Sequence, residues 1–416
     1  MKTAATTQWP ASDFTRVPFR VFMDENIEQL EQERVFDPTW CYLGLAIEVP
    51  KPGDFIITYV GRTEVVLNRD GDGNLAAFIN SCPHRGAQIV RRMRGNAMSH
   101  TCAYHQWCFS TTGELLGLPL LKGVRGKGGM PKDFDKKSHG LKMLRVEEYN
   151  GLIFGTFSLT IGPLFDYLGP KMRPQIDRIF DRKPRLLGYY RQRIPSNWKL
   201  YVENLKDHHG ALLHLFHATF GIARPTMTAR VTLDVERGHS FLRLANIDEV
   251  KEETRAAYAG TDKYREDYRL ADPSLFDVKP DYDDHVTNVI MSIFPNLMLG
   301  QIANTFQTRT IRPKGKNEFE LFWTYFAFED DDDTAVEGKL RQSNFIGPAG
   351  YISAEDGEAG RMVQTGISSR PHDSSFVEMG GRGEMEDADN ISTEVAVRAF
   401  WKRYAEAMSL DGEGRQ

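Results

Sequence analysis

Two short pairs, Cys82-Pro83-His84 and Cys102-Ala103-Tyr104-His105, restrict what this chain can fold into more than any other feature. Seventeen residues separate them, and each follows a strand-like run, so two loop tips can close over one object. Zinc accepts sets of two cysteines and two histidines, but its common fingers group cysteine with cysteine and histidine with histidine. Here each loop brings one thiolate and one imidazole, which suits a two-iron centre with both cysteines on one iron and both histidines on the other. Replacing charged thiolates by neutral imidazoles raises the reduction potential and makes such a centre an electron relay rather than a strong reductant. Gly86 would let backbone approach the centre closely, and Trp107 could screen it from water. Zinc stays open as the alternative occupant.

The rest of the composition narrows the class. Four cysteines in 416 residues are no disulfide framework and fit a reduced, cytoplasmic setting. Cys41 and Cys108 fall outside the pairs and read as small buried apolar residues; His100 and His139 read as plain surface or loop residues. With 41% hydrophobic and 26% charged residues the chain is globular, and its length suggests two or three domains. A formal charge of −5 gives no reason to expect nucleic acid. No window approaches 18 uncharged apolar residues, so no membrane helix is expected. The opening M-K-T-A-A-T-T-Q-W-P lacks the apolar core of a secretory signal.

Taken in order, residues 1–20 are an irregular lead-in, and Asp24-Glu25-Asn26 precedes a capped amphipathic helix of about three turns carrying Ile27, Leu30, Val35 and Phe36. Residues 1–39 are read as an N-terminal helical segment. Short β-rich runs follow at 55–60, 64–68, 75–79, 100–104, 141–146 and 152–157, with turn chemistry at Asp70-Gly71-Asp72-Gly73. They make 40–157 a small all-β domain with long loops. Residues 158–196 look helical and linker-like, with short helices at 163–168 and 175–180 interrupted by prolines. Strand candidates at 229–235, 240–247, 285–294, 298–312 and 318–328 then alternate with a polar stretch, 249–275, read as exposed helix and loop. The four acids Asp330–Asp333 read as a solvated turn. Ser392–Met408 is a closing amphipathic helix with Ser392 as its N-cap. The fold class is α+β: an all-β domain followed, over 158–416, by an antiparallel sheet covered by helices.

Between Asn197 and His217 the chain holds four of its eleven histidines, His208, His209, His214 and His217, within ten residues. Imidazole is the commonest protein ligand of transition metals. An electron relay needs a destination, and iron that activates oxygen uses two histidines and a carboxylate on one face. His209 and His214, five apart, do not converge on a straight helix, so a kink near Gly210 would be needed. His214 and His217 share a face more naturally. Geometry leaves the choice among these histidines open.

The motifs C-P-H-R-G, C-A-Y-H-Q-W, G-G-M-P-K-D-F, N-W-K-L-Y-V-E-N-L-K-D, F-I-G-P-A-G-Y-I-S-A-E-D-G and V-R-A-F-W span nearly the whole chain. Together they resemble the large (α) subunit of the Rieske non-heme iron ring-hydroxylating oxygenases, most of all those acting on aromatic carboxylates, the terephthalate dioxygenase and salicylate 5-hydroxylase type. The resemblance implies a Rieske domain and a helix-grip catalytic domain on which the N-terminal segment packs. It implies a Rieske [2Fe-2S] cluster on Cys82, His84, Cys102 and His105, and a mononuclear non-heme Fe(II) on His209, His214 and Asp356. Asp207 matches the acid that in this family links an iron histidine to a Rieske histidine of the next subunit. The family has two residues between that acid and the first histidine, whereas only His208 stands here, so His208 competes with His209 as first ligand. His217 is read as lining or core.

Arg309, on a strand, resembles the arginine that binds the substrate carboxylate in the terephthalate type. The place before the last helix that would supply a second cation reads Asp389-Asn390-Ile391-Ser392, which points to a benzoate-like acid with one carboxylate. The implied reaction takes O₂ and electrons from NAD(P)H through a separate reductase, with or without a ferredoxin, because the chain has no dinucleotide-binding glycine loop. It gives a cis-diol, or alternatively a phenol from a salicylate-like acid. A small β subunit and an α₃β₃ or α₃ trimer are implied as well. A Rieske electron carrier and a zinc-stabilised binding protein are the readings from other classes.

Overall fold

A computed structural model describes residues 9–220, 227–246, 275, 279 and 281–410. The polar stretch read as exposed helix and loop lies outside the described residues, save Leu275. The chain divides into a unit over Phe36–Phe165 and a second formed by the residues on either side of it. Among the described residues no helix is long and apolar enough to cross a membrane.

The segment before the insertion starts with β1 (Arg16–Pro18), α1 (Arg20–Met23) and α2 (Glu25–Glu31). The Asp24 carboxylate accepts the Asn26 N–H at 2.8 Å and so caps α2. Glu31, at the end of α2, is 2% exposed and receives three donors. These are Trp198 Nε1 at 2.7 Å, Tyr404 Oη at 2.6 Å, and Lys199 Nζ.

The inserted unit is all β. Its strands are β2 (Cys41–Leu45), β3 (Asp54–Val60), β4 (Thr63–Arg69), β5 (Leu75–Ile79), β6 (Arg94–Asn96), β7 (Ser99–Thr101), β8 (Cys108–Ser110), β9 (Leu115–Gly117), β10 (Met143–Tyr149) and β11 (Leu152–Thr156). Seven form one sheet in the order β2-β11-β10-β5-β4-β3-β6, and β7-β8-β9 form a second. The β4–β5 turn closes because Asp70 Oδ1 accepts the N–H of Asp72 and of Asn74 while Gly73 adopts φ +86°. Residues 158–165, read as the start of the next domain, are tied here instead. Trp40 Nε1 donates to Gly162 O, Arg145 to Ile161 O, and the Leu164 N–H to Glu147.

The flanking unit holds a seven-stranded antiparallel sheet in the order β12-β18-β17-β16-β15-β14-β13. Its strands are β12 (Pro184–Ile194), β13 (Met227–Asp234), β14 (His239–Asn246), β15 (Val286–Ile293), β16 (Leu297–Ile302), β17 (Thr305–Pro313) and β18 (Phe319–Phe328), and β19 (Ser374–Phe376) pairs with β1 outside it. Among its described residues are helices α3 (Leu164–Ile179, entered from the inserted unit), α4 (Trp198–Lys206), α5 (Gly210–Leu213), α6 (Leu215–Phe220), α7 (Asp333–Ile346), α8 (Tyr351–Ile367) and α9 (Val395–Met408). The stretch expected to be linker contains an eleven-residue strand, β12, which pairs with the whole of β18 across a bulge at Leu187. The run expected as one strand over 298–312 is a hairpin, turned at Ala303 with φ +52°. Helix α9 starts at Val395, not after Ser392, and it is the Thr393 hydroxyl that accepts the Val395 N–H. Asp331 is not solvated: its side chain is 5% exposed, bound by Arg182 and Lys339.

Candidate active site

In the inserted unit the two Cys–His pairs occupy matching loops. Each loop closes with the N–H of its fifth residue on the cysteine carbonyl: Gly86 to Cys82 at 2.8 Å, Gln106 to Cys102 at 2.9 Å. Both fifth residues are left-handed, with φ of +72° and +59°. The two cysteines are buried and the two imidazoles lie outward, their ring centroids 4.6 Å apart. His84 stacks on the buried Trp107 at 4.9 Å and 4°. Burial, and the Cys102 thiol beside it, push the Cys82 thiol up. Two thiols crowded together in apolar surroundings are a poor arrangement for free cysteines and a suitable one for a shared metal centre. Cys41 is fully buried, with its thiol held protonated. His100, expected at the surface, is 5% exposed and edge-on to Phe55 at 5.3 Å, a core residue. His139 is half-buried against Phe134, ring centroids 4.4 Å apart, with its Nδ1 at 2.7 Å from Asp135 O.

In the flanking unit the histidine stretch is not one helix. The C-cap of α4 is Asp207, at ψ +74°, and the C-cap of α5 is His214, at ψ +135°. These two breaks re-aim the side chains that an unbroken helix would spread round its axis. His209 Nδ1 lies 2.6 Å from Asp207 Oδ1, close but without the alignment of a hydrogen bond. His214 Nδ1 and His217 Nε2 lie 3.5 and 3.6 Å from Oδ1 of the buried Asp356. Glu355 accepts from the N–H of Phe216 and of His217 and from His217 Nδ1 at 2.9 Å, capping α6. One donor atom each of His214, His217 and Glu355 lies within 4.8 Å of the others. His208 is buried with Nδ1 unpartnered, and burial drives its pKa down to about 3. The structure therefore joins His214 to Asp356 and His209 to Asp207, and adds Glu355 as a carboxylate that holds a helix end.

Asp356 titrates below the ordinary range: burial works against its charge, but His214, His217 and Arg309 outweigh burial. The Asp356 carboxylate also holds His214 protonated to higher pH, and burial opposes this. An anionic carboxylate with imidazoles around it is a donor set that a divalent iron satisfies.

Arg309, 3% exposed, lies flat on Trp323 with its guanidinium carbon 3.9 Å from the ring centroid. Its Nη1 donates to Tyr201 Oη on α4 at 2.8 Å. The segment expected to lack a second cation carries Asp389, paired with the exposed Arg230 of β13 at 3.0 Å. Sequence reading did not bring Arg230 there, since an isolated backbone bridge between Val231 and Ala388 is what joins them. Tyr201 was missed too, although it stands in the N-W-K-L-Y-V-E-N motif.

Both units match known families. Residues 39–127 match the Rieske [2Fe-2S] domain, and residues 180–410 match the catalytic domain of the ring-hydroxylating alpha subunit. The chain belongs to the ring-hydroxylating oxygenase α subunits, enzymes that use a Rieske cluster and a mononuclear non-heme iron. Its relatives include the anthranilate 1,2-dioxygenase large subunit of Burkholderia cepacia, 46% identical over 97% of this chain and 96% of that protein. The terephthalate 1,2-dioxygenase terminal oxygenase component subunit alpha 2 of Comamonas sp is 40% identical over 97% and 98%. The salicylate 5-hydroxylase large oxygenase component of Ralstonia sp is 39% identical over 96% and 96%. The fold is that of naphthalene 1,2-dioxygenase from Rhodococcus sp., at a TM-score of 0.78, 22% identity, and 96% and 95% coverage.

Proposed function

We propose that this chain is the terminal oxygenase component that hydroxylates a benzoate-like aromatic acid with one carboxylate, giving a cis-diol. The observation that carries the reading is Arg309, a buried cation stacked on Trp323 whose field reaches Asp356. Arginine offers a carboxylate two parallel donors, and an enclosed site strengthens that contact. The relatives named for anthranilate, terephthalate and salicylate all take aromatic carboxylates as their names state, which supports the same class here. The stretch Asp389-Asn390-Ile391-Ser392 before the last helix carries no cation, which favours a monoacid.

Cys82, His84, Cys102 and His105 would hold the cluster, and His209, His214 and Asp356 the iron. When bound, the two groups relay single electrons and activate O₂. Asp207 lies beside His209 Nδ1, which leaves the other ring nitrogen for the metal. The same partly exposed carboxylate is the proposed link to a Rieske histidine of a neighbouring subunit in an α₃ or α₃β₃ assembly. The electrons come from NAD(P)H through a separate reductase, in the cytoplasm. Ring monohydroxylation is the second reading, favoured by the likeness to the salicylate 5-hydroxylase component.

Metal analysis and turnover test this together. His209→Ala, His214→Ala and Asp356→Ala are expected to lose mononuclear iron while the Rieske absorption stays, whereas His217→Ala keeps at least half the iron. Iron retained in Asp356→Ala would defeat the ligand set. Terephthalate turned over as well as monoacids would defeat the monoacid reading.

A further inference from the structure

Strands β17 and β18 pair Arg309 with Trp323 and Gln307 with Tyr325, so these four side chains share the sheet face that α4 covers. Across β17 the same face meets Met298 and Gly300 of β16. All four residues are buried, Gln307 completely. Five of their polar atoms have no hydrogen-bond partner among the described residues: Gln307 Oε1 and Nε2, Arg309 Nε, Trp323 Nε1 and Tyr325 Oη. Native proteins satisfy nearly all buried polar atoms, so a fully enclosed amide with neither end satisfied by the described residues needs a partner from outside them. Gly300 lies against this group, since a β-carbon there would meet Met298 Cε at 2.8 Å and touch Gln307 Cγ at 3.4 Å.

An amide offers one acceptor and two donors, and a phenol offers both roles. Only a substituent that donates and accepts answers both ends of Gln307. A hydrogen or methyl leaves them unpaired, and a second carboxylate sets its lone pairs against Oε1. We propose that Gln307 and Tyr325 bind a second polar substituent, a hydroxyl or amino group, on the ring of the acid whose carboxylate Arg309 holds. The chain then prefers hydroxy- or aminobenzoates to benzoate itself. The inference rests on the aromatic-acid reading, deepens it, and makes Gln307 a specificity-determining residue.

Titration calorimetry on the holoenzyme with benzoate, 2-hydroxybenzoate, 2-aminobenzoate and their 3-substituted isomers tests it. The wild type should bind at least one substituted acid roughly ten- to hundred-fold tighter than benzoate. Gln307→Leu should bring that ratio to about threefold or less, and Tyr325→Phe should narrow it in the same direction. Gln307→Met, closer in shape, serves as a second replacement, and an intact Rieske spectrum certifies each variant. A wild type indifferent to the substituents, or a ratio that survives both Gln307 variants, would overturn the proposal. Arg309→Leu separates the two levels: it should weaken all the acids alike. If it left every affinity unchanged, the carboxylate reading would fall whatever Gln307 did.

Discussion

A β-carbon placed on Gly210 would stand 2.9 Å from Nε2 of His214. The first residue of α5 thus sets the space in which the imidazole at its end can turn. The obstructing atoms are the tip of a side chain, so the chain can yield by swinging the ring. Gly210→Ala should therefore leave the melting temperature unchanged or slightly raised, since alanine gains roughly 0.5–1 kcal/mol over glycine in a helix. Mononuclear iron content should fall severalfold. Full iron occupancy in that variant, measured by metal analysis, would show that His214 is not confined by Gly210.

The matched loops of the inserted unit make a contrast among the four cysteines. Cys82→Ser and Cys102→Ser should abolish the visible absorption and EPR signal of the cluster. Cys41→Ala should keep both and lose only stability, about 1–2 kcal/mol for a small buried side chain. A cluster signal lost with Cys41 would contradict the assignment.

Much of this was legible beforehand, and the exceptions share a cause. The Cys–His pairs lie in local loops whose spacing is itself the signal. Asp356 and Arg309 were assigned only by family likeness, because a carboxylate 142 positions from His214 leaves no local pattern. Strand β12 was hidden by prolines nearby, and its pairing partner β18 lies over a hundred residues away. Tyr201 and Gln307 gain meaning only once the register places them beside Arg309, and no periodicity announces that.

Buried charge offers a stability test. Removing Glu31 leaves Lys199, which is fully buried, without its carboxylate and removes the acceptor to which Trp198 Nε1 and Tyr404 Oη donate. Glu31→Ala should destabilise by about 3–5 kcal/mol, as for a broken buried pair. Glu31→Ala combined with Lys199→Met should recover part of the loss in urea unfolding. A double variant no better than the single would show that the pair's charge is not the cause.

His239 makes stability depend on pH. Its Nε2–H donates to Tyr167 O at 2.9 Å and its Nδ1 accepts the Phe294 N–H at 3.1 Å, so the ring is neutral. Burial above all, with Lys206, Arg237 and Arg403 adding to it against the Tyr167 carbonyl, brings its pKa down to about 3 from 6.5. Between those values the unfolded chain binds the proton and the folded chain does not. Stability is thus fully present above pH 6.5 and declines as pH falls toward 3, by at most about 5 kcal/mol. His239→Gln, which keeps a donor, should be less stable at pH 7.5 but show a shallower fall in melting temperature down to pH 4.5. Parallel curves for the two proteins would remove His239 from the account.

Glu31 and Tyr404 meet across 373 positions of chain. On the ribosome, the inserted unit has all its strands once residue 165 has emerged. The core around Lys199 must wait for the last helix, so most of the catalytic sheet is synthesised before that cation's enclosure can be completed. Nascent chains halted before α9 should therefore carry a folded electron-transfer unit beside an open catalytic one, dependent on chaperones until translation ends.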